Sequence, residues 1–77
     1  MFDINDETVR PFRIYDSKTK EFLRWRYYSD SRRCHIGALI EIRWAEVGSV
    51  YEVIDVSIGR MIGQYKRGVH DIKFLKG

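Results

Sequence analysis

Between Asp30 and Gly48 the chain reads Asp-Ser-Arg-Arg-Cys-His-Ile-Gly-Ala-Leu-Ile-Glu-Ile-Arg-Trp-Ala-Glu-Val-Gly, the one stretch whose apolar residues recur at helical spacing. At 100° per residue Ile36, Leu39, Ile40, Trp44 and Val47 fall on one side, the stripe expected of a helix lying on a core. Cys34, Ala38, Ile42 and Ala45 make a second stripe of small or apolar groups, which a helix on a single sheet would leave uncovered. Ser29, Asp30 and Ser31 are candidate N-caps and Asp30 is favoured, while Gly48 suits the left-handed residue that follows a helix. Arg32 and Arg33 in the first turn oppose the macrodipole by roughly a few tenths of a kcal/mol, or answer an anionic partner.

On either side of this helix the periodicity changes to two. Pro11 marks a strand start; Phe12 and Ile14 then alternate with Arg13 and Tyr15, and after Asp-Ser-Lys-Thr-Lys a second run extends from Phe22 to Tyr28. This predicts a hairpin, with Leu23, Trp25 and Tyr27 on one face and Phe22, Arg24, Arg26 and Tyr28 on the other. The segment Tyr51–Arg67 predicts a second hairpin with Gly59 at positive φ in its loop. Shifted by 39 positions the two hairpins superpose: Asp16 falls on Asp55 and Lys20 on Gly59, so Tyr51, Val53 and Asp55 should look where Phe12, Ile14 and Asp16 look. Both aspartates suit Asx-type turns. Val69 to Lys76 reads as a short edge strand, with His70, Ile72 and Phe74 opposite Asp71 and Lys73, and its lysines discourage further edge pairing.

The fold expected is α+β: a ββαββ antiparallel sheet with one helix packed on one face and a fifth, C-terminal edge strand, the alternative being two small separate sheets. Residues 1–10 are expected as a loosely packed N-terminal segment and residues 11–77 as a single domain. At 77 residues such a domain buries only about 60% of its unfolded surface. The single cysteine allows no internal disulfide and fits a reducing, cytoplasmic setting. The acidic start is unlike a signal peptide, and no apolar run approaches the ~20 residues of a membrane span.

No catalytic constellation emerges. Cys34 and His35 are adjacent, and adjacent helical residues project about 100° apart and cannot share a substrate atom. One cysteine and two distant histidines do not make a zinc site, and Gly59 and Gly63 lie in a hairpin instead of a phosphate-binding strand-to-helix turn. The expectation is therefore a protein without enzymatic activity, metal or cofactor. The net charge of +3 is compatible with nucleic acid without demanding it. Arg13, Tyr15, Arg24, Arg26 and Tyr28, extended by Arg32, Arg33, Lys66 and Arg67, form the candidate face for nucleic acid or a protein partner, where arginines pair phosphates and tyrosines stack bases. Tyr, Trp and Arg are equally the residues of protein hot spots. The stripe of Cys34, Ala38, Ile42 and Ala45 is the candidate face for a homodimer or a target. Arg43, between Leu39 and Val47, snorkels past the sheet edge, pairs with Asp16, Glu52 or Asp55, or reaches a partner.

The runs His-Ile-Gly-Ala-Leu-Ile-Glu-Ile-Arg-Trp-Ala and Tyr-Glu-Val-Ile-Asp-Val-Ser-Ile-Gly-Arg-Met-Ile-Gly-Gln-Tyr, within residues 35–67, resemble small accessory proteins encoded by tailed bacteriophages. Phe12-Arg-Ile-Tyr-Asp-Ser-Lys-Thr-Lys resembles the opening strand and turn of YopX-type phage proteins. The resemblance implies no catalytic residues. It implies a protein that acts stoichiometrically on a host protein in the cytoplasm of an infected bacterium, through host takeover or inhibition of defence; the basic and aromatic sheet face makes nucleic-acid binding the alternative.

Overall fold

The turns set the frame. In the computed structural model, which describes residues 10–77, Asp16 Oδ1 accepts the Lys18 amide at 2.9 Å and Asp55 Oδ1 accepts the Ser57 amide at 3.1 Å. Both are the expected Asx turns. Lys20 has φ 64° and Gly59 φ 63°, so the two hairpins turn with the same left-handed residue at the same position, and one of them does it without glycine. The strands that these turns join are β1 (Phe12–Asp16) with β2 (Glu21–Tyr28), and β3 (Val50–Asp55) with β4 (Arg60–Arg67). Helix α1 (Ser31–Arg43) lies between the pairs in sequence, and β5 (Ile72–Lys76) follows them.

All five strands form one antiparallel sheet in the order β2-β1-β3-β4-β5. Two separate sheets are thereby replaced by one, because every residue of β1 pairs with β3: Phe12 opposes Asp55, Ile14 opposes Val53 and Asp16 opposes Tyr51. Directly opposed residues share a face, which is the correspondence that the 39-residue shift predicts. Ile14, Val53 and Gly63 face the helix, while Arg13, Ile54 and Met61 face away from it.

β2 departs from strict alternation. The pairing jumps from Arg13 opposite Tyr27 to Tyr15 opposite Phe22, so a bulge spans the residues between them. Leu23 is buried below the bulge, whereas Trp25 is 65% exposed and Tyr27 joins Arg13 on the open face. Leu23, Trp25 and Tyr27 therefore do not share a face.

Helix α1 begins as expected, with Asp30 capping the Arg32 amide at 2.9 Å. It ends earlier than expected: Trp44 is the C-cap, and Gly48 keeps its positive φ in a later turn, where its amide donates to the Arg67 carbonyl at 2.8 Å. More consequentially, the helix lies the other way round. Cys34, Gly37, Ala38 and Ile42 are buried, Ala45 packs beside them, and Ile36, Ile40, Trp44 and Val47 are exposed, with Leu39 half-buried. The expected homodimer face of Cys34, Ala38, Ile42 and Ala45 is thus the helix's contribution to the core.

The physical reason is bulk supplied from the sheet. Tyr28, Tyr51 and Tyr65 rise from the strands into the core cluster. A Cβ on Gly37 would strike the Tyr28 hydroxyl, and one on Gly63 would strike the His35 ring. Large residues below require small residues above if the interior is to reach normal packing density. The domain expectation for residues 1–10 falls, up to residue 9, outside the described residues.

Candidate partner-binding surface

The inversion turns four large apolar side chains outward along one line. Ile36, Ile40 and Trp44 recur every fourth residue on α1, and Val47 continues the line in the turn beyond it; Ile36 is 57% and Trp44 84% exposed. Single exposed apolar residues are ordinary, whereas a contiguous row of them marks a contact surface.

The unpaired charges on the helix are all positive. Helix α1 and its following turn contain two carboxylates, and both are engaged by strand cations: Glu41 by Arg26 at 3.0 Å and Glu46 by Lys18 at 2.8 Å. The Lys18 ammonium lowers the Glu46 carboxyl below its ordinary range and is itself raised in return. Arg32, Arg33 and Arg43 are exposed, and among the described residues no ion pair engages them.

At the C-terminal end of the helix the row runs into two adjoining clefts. One, of about 330 Å³, is lined by Arg43, Trp44, Arg67, His70, Asp71 and Ile72. The other, of about 700 Å³, shares Arg67, His70 and Asp71 and adds Val47, Lys66, Val69, Lys73 and Leu75. Arg67 donates one guanidinium N–H to the Gly68 carbonyl, and its Nε is buried with no hydrogen-bond partner among the described residues. Arg43 therefore stands at a cleft mouth, and none of the acids considered for it, Asp16, Glu52 or Asp55, appears beside it there.

The basic and aromatic residues that the sequence places on one face are divided between two. Arg13 and Tyr15 lie on the open face of the sheet; Tyr15 packs edge-on against Phe22 at 5.3 Å, and Arg13 stands 5.7 Å over Tyr27. Arg24 lines a cleft with Arg13 and Phe22, and Lys66, opposite Val50 and Lys73, is exposed. Arg26 and Tyr28 are on the helix side: Arg26 donates to Glu41 and to the Tyr28 hydroxyl, which with that carboxylate holds its guanidinium above the ordinary range. The β2 bulge causes this division, since it reverses the parity of every residue beyond it. Arg32 and Arg33 sit at the start of α1, and Arg67 faces the clefts.

Cys34 and His35 diverge as expected. The Cys34 thiol is buried and its pKa is pushed up to about 12 by burial, which removes it as a nucleophile. His35 turns aside, with Nδ1 2.8 Å from the Tyr65 hydroxyl. Tyr65 is raised by burial and by the proximity of Cys34, and Tyr51 by burial and by Asp16 and Glu41. Among the described residues no group of three His, Cys, Asp or Glu side chains is placed to hold a metal, and no helix is long and apolar enough to cross a membrane.

Fold and surface together define a class: a five-stranded antiparallel α+β domain that carries one helix with its small face inward and an apolar, cationic face outward. No family model, curated protein or solved structure gives a significant match to this chain.

Proposed function

We propose that this chain is a non-enzymatic binding protein that engages a protein partner stoichiometrically through the outward face of α1. The observation that carries the reading is the exposed row of Ile36, Ile40, Trp44 and Val47. Such a row costs solubility when left in water, and it becomes favourable when a partner removes it from water, at about 25 cal/mol per Å². Trp44 beside Arg43 is the pairing of residue types enriched at binding hot spots. The resemblance to tailed-phage accessory proteins points to a bacterial host protein as the partner, in keeping with a cytoplasmic role. The test is recovery from a bacterial lysate with the full chain and with the Ile40→Ala/Trp44→Ala double variant. A one-to-one complex that survives physiological salt and disappears with the variant supports the reading; recovery unchanged by the variant contradicts it.

The second reading is a nucleic-acid-binding sheet, and it draws on Arg13, Tyr15, Arg24 and Lys66 on the open face. Glu52 and Gln64, hydrogen-bonded to each other at 2.8 Å, occupy the middle of that face and put a carboxylate where a phosphate would pass. A mobility shift that is lost in Arg13→Glu/Arg24→Glu and steeply weakened by salt would favour this reading over the first.

A further inference from the structure

We infer that the occupant of the outward helix face and its adjoining clefts is an acidic amphipathic segment of a protein, one that alternates carboxylates with apolar side chains. The inference rests on the reading that this face binds a protein and adds the chemistry of the partner. Three observations carry it.

The first is the sign of the charge. Arg32, Arg33 and Arg43 on the helix, and Arg67 between the clefts, stand against one lining carboxylate, Asp71, because Glu41 and Glu46 are already paired with Arg26 and Lys18. A second copy of this chain on the same face would set arginine against arginine, and like charges brought together across an interface cost several kcal/mol.

The second is the guanidinium at the junction of the clefts. Arg67 lines both of them, and a carboxylate is the acceptor whose planar geometry suits a guanidinium.

The third is shape and side-chain type. Two adjoining clefts at the end of a raised row make a concave surface that fits a folded or extended protein segment better than a bilayer. The aliphatic groups of Ile36, Ile40, Val47, Val69 and Leu75 offer phosphates nothing, so a nucleic acid would use only Trp44 and the cations. A protein segment with both acids and apolar groups uses all of them, in the manner of helix-in-groove recognition.

The experiment selects partners by chemistry. The full chain is presented with a displayed random-peptide library, and the enriched peptides are fluorescein-labelled and titrated by anisotropy. A labelled oligothymidylate and phosphatidylserine vesicles serve as comparison probes. Enriched peptides should carry more Asp and Glu than Lys and Arg among apolar residues, and should bind more weakly as salt rises. They should lose at least tenfold in affinity with Trp44→Ala and again with Arg43→Glu, both at exposed positions. Enrichment of neutral or basic peptides that still require Trp44 overturns the acidic assignment and leaves the binding face standing. Peptides that ignore both Trp44→Ala and Ile40→Ala overturn the face as well. Binding of the oligothymidylate or the vesicles through Trp44, with no peptide enriched, overturns the inference in favour of phosphate or lipid.

Discussion

The two faces of α1 differ in a way that reverses the usual expectation for a surface helix. The inward face presents Cys34, Gly37, Ala38 and Ile42; the outward face presents Ile36, Ile40 and Trp44, which together are far more hydrophobic. Orientation is decided by fit to the opposite layer. With Tyr28, Tyr51 and Tyr65 filling the space from the sheet, the inward face must be small, and Gly37 lies against the Tyr28 ring with no room for a Cβ. A glycine in mid-helix costs about 1 kcal/mol relative to alanine, so its presence there has a packing reason. The apolar area left outside is then free for a partner.

The sharpest way to break this comparison is to shorten one side chain on each face. Ile42→Ala, at a fully buried position, should lower stability by about 2–5 kcal/mol in denaturant unfolding. Ile40→Ala, on the opposite face of the helix, should change it by less than about 0.5 kcal/mol. Equal losses at the two positions would mean that both faces are packed.

Adding volume probes the same asymmetry from the other side. Ala38→Leu puts three carbons where none fits, and it should cost about 1–3 kcal/mol or displace the helix. The measurement is the midpoint of urea unfolding followed by far-ultraviolet circular dichroism.

Alkaline titration follows from the buried thiol. The folded Cys34 pKa, about 12, lies above the ordinary value of 9.0, so the folded state holds its proton where the unfolded state has lost it. Stability conferred below pH 9.0 should therefore decline as pH rises toward 12, on the order of 1 kcal/mol per pH unit from this group. Tyr51 and Tyr65, also raised by burial, act in the same direction. Cys34→Ala should flatten part of that slope in unfolding curves measured between pH 8 and pH 11, values bracketing the ordinary thiol range.

A smaller and opposite effect is expected in the first turn. Lys20 holds φ 64° with a side chain that disfavours it, and its counterpart in the second turn is Gly59. Lys20→Gly relieves that strain but gains freedom in the unfolded chain, for a net stabilisation of about 0.5 kcal/mol, readable as a small rise in melting temperature.

Much of the fold was legible from residue patterns: the Asp30 cap, both Asx turns, the hairpin correspondence that put Lys20 and Gly59 at one position, and the edge placement of β5. These are local, set by a few residues and their hydrogen bonds. What periodicity missed is relational. The β2 bulge, which moves Arg26 and Tyr28 to the helix side, depends on how β2 lies against β1. The helix orientation depends on the volume of tyrosines in strands remote from it in sequence. A signal was nevertheless present: Gly37 within the small stripe Cys34–Ala38–Ile42, together with tyrosines in β2, β3 and β4, is the pattern of a helix drawn close to a bulky sheet. Of the candidate binding residues, Arg13, Tyr15, Arg24 and Lys66 lie on the open face, whereas periodicity alone assigns the apolar row on α1 to the core, because it registers hydrophobicity and not size.

The orientation of α1 is most directly tested by the exposure of one indole. In a Trp25→Phe variant Trp44 is the sole tryptophan, and at 84% exposure it should be quenched by acrylamide nearly as efficiently as a free tryptophan amide, with a water-like emission maximum. A blue-shifted Trp44, shielded from acrylamide in the native protein, would place the large face inward and contradict the account.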